Sequence, residues 1–166
     1  MRPSFSIAVL SAICASPVAA QVDPPRNPES ADQAVPCDNI PYDQANCVRV
    51  LACVGEDGLW FDGEARGWES GTVFGRISNG TTCEGTWDYD GPFGAGQSRL
   101  TCSDGVEIGA LYTSQDGETG TVIGSGIDTL ERPITLWSGL NVLRFLTPDG
   151  RVGAQLQCGN NPIPIS

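Results

Sequence analysis

Carboxylates, tryptophans and cysteines are the side chains of this sequence that could bind a ligand or carry out a reaction. The chain has 20 acidic residues, and all nine of its basic residues are arginine because histidine and lysine are absent. That composition excludes Ser-His-Asp and Cys-His centres, histidine metal sites, lysine Schiff bases and the lysine-dependent phosphate loop. We therefore expect a non-catalytic protein without a cofactor.

Paired carboxylates leave one catalytic alternative open. Asp62 with Glu64, or Glu84 with Glu107, would lie close together on the strands predicted below. A glycoside hydrolase needs two such groups facing each other across a cleft. A chain this rich in acids forms neighbouring pairs by chance, so solvated strand faces are the simpler interpretation. A carboxylate-dependent glycan hydrolase stays the alternative function.

The acidic segment 88–91 (DYDG) is similar to part of a calcium-binding loop. Aligned on the EF-hand pattern, however, Thr86 and Gln97 occupy positions where carboxylates belong, so we predict no metal site. Asp88 and Asp90 are instead candidate binding residues on an exposed glycine-rich turn. Such a turn could enter the basic active site of a secreted enzyme, which makes an enzyme inhibitor another alternative function.

Tryptophans on a β surface can stack on sugar rings or anchor a protein interface, whereas buried ones fill the core. The four are Trp60, Trp68, Trp87 and Trp137. We expect at least two to point inward. Trp68, in the polar context RGWES, is the best exposed candidate for binding. The expected partner is an envelope component or a secreted protein.

Residues 1–20 have the pattern of a cleavable signal peptide. Arg2 provides the positive start, an apolar run follows over 5–15, and Val18 and Ala20 are the small residues before the cleavage site. The run is too short to cross a bilayer of roughly 30 Å as a helix, so we expect no membrane span. These features predict a periplasmic or secreted protein.

Cleavage would leave 146 residues with eight arginines against 20 carboxylates, a net charge of −12. That charge disfavours nucleic acid as a partner, because binding phosphates requires a basic face. Residues 21–36 combine four prolines with polar residues and offer little to bury. We interpret them as a flexible leader that precedes a single β domain over 37–166.

From Cys47 onward, short β-prone runs alternate with turn signals. Asp-Gly or Asn-Gly pairs follow CVRVLACV, GTVFGRIS, QSRLTCS, ALYTSQ and, with a preceding proline, VLRFLT. These pairs accept the positive φ angles of hairpin tips, so the pattern predicts a meander of antiparallel hairpins. Eight to ten strands are too many for one open sheet of this length, which favours an all-β barrel or sandwich. Glycines inside the strands indicate bulges or close strand approach.

Six cysteines remain after cleavage: Cys37, Cys47, Cys53, Cys83, Cys102 and Cys158. An even number in an exported chain predicts disulfides, and the lack of Cys-x-x-Cys pairs and of histidine disfavours zinc. Pairing TTCEGTW with SRLTC places Cys83 opposite Cys102 on one face, within disulfide reach. For the other four we prefer Cys37–Cys47 and Cys53–Cys158, although three pairings of four cysteines are open.

Residues 83–105 (CEGTWDYDGPFGAGQSRLTCSDG), followed by TGTVIGSG and ITLWSG, carry a resemblance to known proteins. The succession of LTCSDG, a Gly-x-Gly strand and an apolar strand ending in glycine resembles a group of small exported proteobacterial β-rich proteins. Gly-x-Trp, Gly-x-Gly and the closing Asp-Gly are also loosely similar to MORN-type hairpin repeats. The resemblance covers about a third of the chain and implies fold and export, but no active site.

Overall fold

Turn-forming residues divide the chain into short antiparallel strands. The structure, a computed structural model, describes residues 36–140 and 155–164. The strands are β1 (Cys47–Val54), β2 (Leu59–Trp68), β3 (Ser70–Ile77), β4 (Thr82–Asp88), β5 (Gly96–Cys102), β6 (Glu107–Asp116), β7 (Thr121–Asp128), β8 (Pro133–Ser138), β9 (Gln155–Cys158) and β10 (Asn161–Pro164). A single turn of 3-10 helix, Pro92–Gly94, lies between β4 and β5.

Four of the sequence-based expectations fall outside this range. The signal peptide over 1–20, the leader over 21–36 apart from its last residue, the run VLRFLT and the turn at 148–150 are not among the described residues. Within the described part of the chain, no helix has the length and apolar character needed to cross a lipid bilayer.

Glycines at the predicted tips do make the hairpins. Gly80 and Gly105 have φ angles of 97° and 84°, in the left-handed region that glycine adopts at little cost. Each closes its turn by donating its N–H to the carbonyl three residues earlier, at 2.8 Å to Ile77 and 2.9 Å to Cys102. The turn residues therefore set the hairpin register.

The first and last strands of the meander pair with each other. Strands β1 to β8 are hydrogen-bonded in chain order, and β1 also pairs with β8, with Val50 opposite Ser138 and Val54 opposite Ile134. This pairing closes an eight-stranded antiparallel barrel. The prediction of an all-β fold is confirmed, and a barrel is formed rather than a sandwich.

Side chains alternate between the barrel interior and its outer surface along the strands β1 to β8. At one end, which we call the closed end, Val54, Ile77, Ile108 and Ile134 are buried together. Each fully buried aliphatic side chain of this kind contributes about 1.5–3 kcal/mol. The closed end therefore holds the main apolar core.

A buried ion pair secures the β7–β8 turn at the closed end. The side chain of Asp128 is fully buried and accepts hydrogen bonds from Nε of Arg132 at 2.6 Å and from two backbone N–H groups, those of Leu130 at 2.9 Å and Arg132 at 3.0 Å. These contacts offset the cost of burying the carboxylate.

Glycines facing the interior let neighbouring strands and an aromatic ring approach closely. Gly63 of β2 lies opposite Gly75 of β3, and the ring of Phe61 covers both. A Cβ atom at Gly63 or Gly75 would lie 2.6 Å or 2.5 Å from Cζ of Phe61, closer than real Cβ atoms come. The expectation that strand glycines mark close approach fits this part of the barrel.

The β9–β10 hairpin adds a second, smaller core on the outside of the barrel. Cys158 and Ile163 are almost completely buried there against Leu51 and Trp137, which face outward from β1 and β8. Nδ2 of Asn161 donates to the carbonyl of Gly58 at 3.1 Å and ties the hairpin to the β1–β2 turn.

Three disulfides join strands and loops. They connect Cys37 to Cys47, Cys53 to Cys158 and Cys83 to Cys102, which are the pairs preferred from the sequence. Cys83 and Cys102 are directly opposite each other on β4 and β5, in the register written above. Cys53–Cys158 attaches the outer hairpin to the barrel, and Cys37–Cys47 attaches the segment that precedes β1.

Candidate functional site

The barrel interior contains a cavity of about 360 Å³. Its middle is lined by small and medium-sized apolar side chains that point inward from six strands: Val50, Ala52, Ala65, Val73, Leu100, Ala110 and Leu136. Eight-stranded barrels are just wide enough either to be filled by side chains or to hold one small ligand. Here the valines and alanines at the middle level leave the space unfilled.

The cavity extends toward the end of the barrel opposite the closed end, which we call the open end. Four loops and the residues after β8 surround it: 36–46, the β2–β3 turn at Glu69, the β4–β5 loop over 89–95, the β6–β7 turn over 117–120, and 139–140. Side chains from the first three loops reach the cavity lining, namely Tyr42, Glu69 and Tyr89. Within residues 36–140 and 155–164, the interior is thus packed at one end and open at the other.

Tyr112 places a hydroxyl group in the upper wall of the cavity. Its oxygen lies 3.0 Å from the carbonyl of Asp88 and 3.1 Å from that of Gln97, so its proton is donated to the backbone of the β4–β5 hairpin. Burial raises the pKa of Tyr112 to about 12, although its backbone hydrogen bond acts in the opposite direction. The hydroxyl is therefore neutral and engaged at ordinary pH.

The other polar groups of the upper wall are also engaged with the protein. Nε1 of Trp87 donates to the carbonyl of Arg66 at 3.0 Å, and Oγ of Ser138 donates to that of Gly120 at 2.8 Å. Among the described residues, every buried side-chain nitrogen or oxygen has a hydrogen-bond partner. The wall therefore offers a ligand mainly apolar contacts.

Two aromatic rings meet at the rim of the open end. The centroids of Tyr42 and Trp68 are 4.7 Å apart, with the ring planes tilted by 44°. Trp68 is half-buried and also lines the cavity, while Nε2 of Gln44 donates to its carbonyl at 3.0 Å. Glu69, the next residue, has a φ angle of 64°, which allows the tight turn between β2 and β3. Trp68 therefore belongs to the rim of this cavity.

Asp88 and Asp90 lie at the same end of the barrel. Oδ1 of Asp88 accepts the N–H of Asp90 at 2.8 Å, and both residues are exposed. The structure thus brings all three candidate binding residues, Trp68, Asp88 and Asp90, to the open end. A binding role for each of them stays a prediction.

The carboxylate pairs considered for catalysis lie on the outside of the barrel. Asp62 forms a two-point contact with Arg49, at 2.9 and 2.7 Å, and this hydrogen bonding raises the pKa of Arg49. Glu64 pairs with Arg66 at 2.7 Å. Both contribute to a surface groove of about 940 Å³. Each of these two carboxylates is thus already engaged with an arginine on the outer surface.

Glu84 and Glu107 are separated by a strand. Both are exposed, and each lies opposite Thr101 of β5, one from β4 and the other from β6. They are thus on the convex outer surface. Neither the Asp62–Glu64 pair nor the Glu84–Glu107 pair faces the barrel cavity. The cavity is therefore a candidate site for binding and not for carboxylate catalysis by these pairs.

Sequence reasoning located the rim residues but missed the cavity. Val50, Ala110 and Tyr112 lie on strands that were predicted, yet they were not singled out. The linear signal was weak, because the inward residues Ile108, Ala110 and Tyr112 alternate with Gly109, Leu111 and Thr113 on β6. Whether such residues leave an open space depends on how the barrel closes, which a linear pattern does not record.

Comparison with known proteins adds little beyond the fold. No protein-family model matches the chain, and no curated protein does. The chain is similar to a de novo designed fluorescence-activating β-barrel, with a TM-score of 0.47 and 13% identity over 62% of this chain and 94% of the design. It is also similar to a redesigned β-barrel, mFAP0, bound to DFHBI, with a TM-score of 0.45 and 16% identity over 58% and 98% of the two chains. Both likenesses are too distant to carry a functional argument.

Proposed function

We propose that this protein is an exported, non-catalytic binding protein that holds one small apolar molecule in the open end of its barrel. The observation that carries the proposal is the cavity of about 360 Å³, which has apolar walls and is closed at one end by packed side chains. Ligand pockets of soluble proteins are concave and mostly apolar, with volumes of about 300–1,000 Å³.

The size of the cavity sets the size of the ligand. One water molecule occupies about 30 Å³ in the liquid, so the cavity has the volume of about a dozen non-hydrogen atoms. At about 0.5 kcal/mol per atom, within the range observed for small ligands, binding would be worth roughly 6 kcal/mol, or a Kd of tens of micromolar. A monocyclic or bicyclic hydrocarbon or a medium alkyl chain fits these limits.

Export and the lack of catalysis rest on different observations. Three disulfides are typical of proteins that mature in an oxidising compartment, and the pattern of residues 1–20 supports secretion. The absence of histidine and lysine supports binding rather than chemistry. The pairing of Asp62 and Glu64 with arginines supports it as well.

The proposal is tested by direct binding of two neutral probes, naphthalene and octanol. We expect both to bind in a one-to-one ratio by isothermal titration calorimetry and to change the tryptophan fluorescence, because Trp87 lines the cavity. The variant Val50→Phe places a ring in the cavity and should weaken naphthalene binding by about tenfold or more, equivalent to about 1.4 kcal/mol.

A matched variant controls for the added ring. Leu111→Phe makes the same kind of addition on the outer surface of β6, where the side chain is exposed, and should leave binding unchanged. Thermal unfolding of both variants checks that the barrel is intact. Failure of both probes to bind the folded wild-type protein, or equal binding by the two variants, would contradict the proposal.

A further inference from the structure

Among the residues that the structure describes, the charged side chains of the loops and strand ends around the open end are all acidic. The acidic residues at this end are Asp38, Asp43, Glu69, Asp90 and Glu118 of the loops, together with Asp88 and Asp116 at the ends of β4 and β6. The arginines of the described residues lie elsewhere, on the outer faces of strands or, for Arg132, in the turn at the closed end. The entrance to an apolar cavity is thus surrounded by carboxylates.

This distribution creates a negative potential at the entrance. Walls of low polarity concentrate the field of nearby charges in a cleft, which raises the local concentration of ions of opposite sign and repels ions of the same sign. An anionic ligand such as a fatty acid would have to approach the cavity against that field. The charge pattern therefore selects among the apolar molecules that the cavity could hold.

Aromatic rings at the same entrance also attract positively charged groups, as the carboxylates do. Tyr42 and Trp68 form a tilted pair 4.7 Å apart, and both line the cavity together with Tyr89 and Glu69. The Tyr89 N–H donates to the carbonyl of Glu69 at 2.7 Å, which holds the β4–β5 loop beside the β2–β3 turn. Faces of tryptophan and tyrosine attract organic cations, including quaternary ammonium groups, within about 6 Å of the ring centroid.

We propose that the natural ligand is an organic cation whose apolar body occupies the cavity and whose positively charged group lies at the rim, between the Tyr42–Trp68 pair and the carboxylate of Glu69. This inference rests on the proposed function, because it names the chemical class of the ligand for the same cavity. The apolar walls bind the body of the ligand, and the rim selects for its charge.

Three probes with the same eight-carbon chain separate charge from apolar contact. Octyltrimethylammonium, octanol and octanoate are titrated into the wild-type protein below their micelle-forming concentrations. At ~20 mM salt we expect the cation to bind about tenfold more tightly than octanol and octanoate to bind most weakly. At ~500 mM salt, where screening acts within a few ångströms, the cation should lose most of its advantage.

Two charge-removing variants locate the effect. Glu69→Gln should weaken the binding of octyltrimethylammonium about threefold to tenfold and leave octanol unchanged. Glu107→Gln removes an exposed carboxylate from the outer surface, outside the rim. It should change the binding of neither octyltrimethylammonium nor octanol. Thermal unfolding confirms that both variants are folded.

The possible outcomes distinguish this inference from the proposed function. Equal binding of octanol and the cation, or tighter binding of octanoate, overturns the cationic class while the apolar cavity stands. No binding of any probe to the folded wild-type protein overturns both. An equal loss in Glu69→Gln and Glu107→Gln would mean that overall charge, rather than the rim, attracts the cation, and this also overturns the inference.

Discussion

Removal of the Asp128 carboxylate should destabilise the barrel more than any other change of a single acidic side chain among the described residues. The carboxylate is fully buried in the β7–β8 turn and accepts hydrogen bonds from Nε of Arg132 and from the N–H groups of Arg132 and Leu130, at 2.6 to 3.0 Å. Asp128→Ala leaves all three donors without this acceptor. The guanidinium then remains in the turn without its counter-charge.

The expected magnitude follows from these contacts. Removing one partner of a buried ion pair costs about 3–5 kcal/mol. The side chain of Arg132 is 25% exposed, so water can solvate part of its charge after the carboxylate is removed. We therefore expect a loss of about 3 kcal/mol, at the lower end of that range, and a fall in Tm of about 10 °C.

The effect should depend on pH. Burial alone would raise the pKa of Asp128, but the hydrogen bonds from Arg132 and Leu130 outweigh it and hold the pKa below its ordinary value. A carboxylate with a lowered pKa in the folded state stabilises the protein above its unfolded pKa of about 3.9. That stabilisation is lost as the pH falls through the folded pKa. The difference between wild type and Asp128→Ala should therefore shrink between pH ~4 and ~2.

Urea unfolding followed by tryptophan fluorescence at pH ~7 and at two acid pH values measures both quantities. Glu107→Ala serves as the control, because it removes an exposed carboxylate and should change the free energy of unfolding by about 0.5 kcal/mol or less. A loss below about 1 kcal/mol in Asp128→Ala at neutral pH would refute the reasoning. The reasoning would also be refuted if the difference in the free energy of unfolding between wild type and Asp128→Ala were the same at pH ~2 as at pH ~7.

Two further predictions concern the disulfides and the cavity tyrosine. Cys53–Cys158 closes a loop of 105 residues, and replacing this pair by serine should lower the free energy of unfolding by about 4.7 kcal/mol through chain entropy. Cys37–Cys47 closes a loop of 10 residues, and its replacement should cost about 2.7 kcal/mol. Urea unfolding that gives the larger loss for Cys37–Cys47 would contradict the estimate. With a pKa raised to about 12, Tyr112 should ionise above the ordinary range of a tyrosine in an absorbance titration, and Tyr112→Phe should remove that late step. Its stabilisation is complete below pH ~10 and is lost toward pH ~12, and Tyr112→Phe should abolish this dependence.

Local sequence patterns predicted the strands and one complete register. The pairing of Cys83 with Cys102 is the one expected when TTCEGTW is paired with SRLTC. The prediction succeeded because alternation and turn chemistry act over a few residues, which a sequence displays directly.

Properties that depend on barrel closure were not predicted. Trp87 and Trp137 are each the second-last residue of a strand, yet Trp87 lines the cavity whereas Trp137 is buried on the outside, beneath the β9–β10 hairpin. Strand alternation decides which face each ring takes, and the position of the hairpin decides that the outward ring of Trp137 is buried. The cavity itself exists because inward valines and alanines from separate strands meet at one level, which depends on strand stagger and tilt.

The pairing of β1 with β8 has a consequence for how the chain folds. Every other pair in the barrel joins consecutive strands, whereas this seam brings together Val54 and Ile134 from opposite ends of the meander. Contacts so distant in sequence form slowly, because the chain must first lose the entropy of closing a long loop. Until then β1 and β8 are open edges with unpaired backbone groups, and such edges pair readily with other chains. Association between copies of this protein should therefore arise from the unclosed meander, and faster seam closure would suppress it.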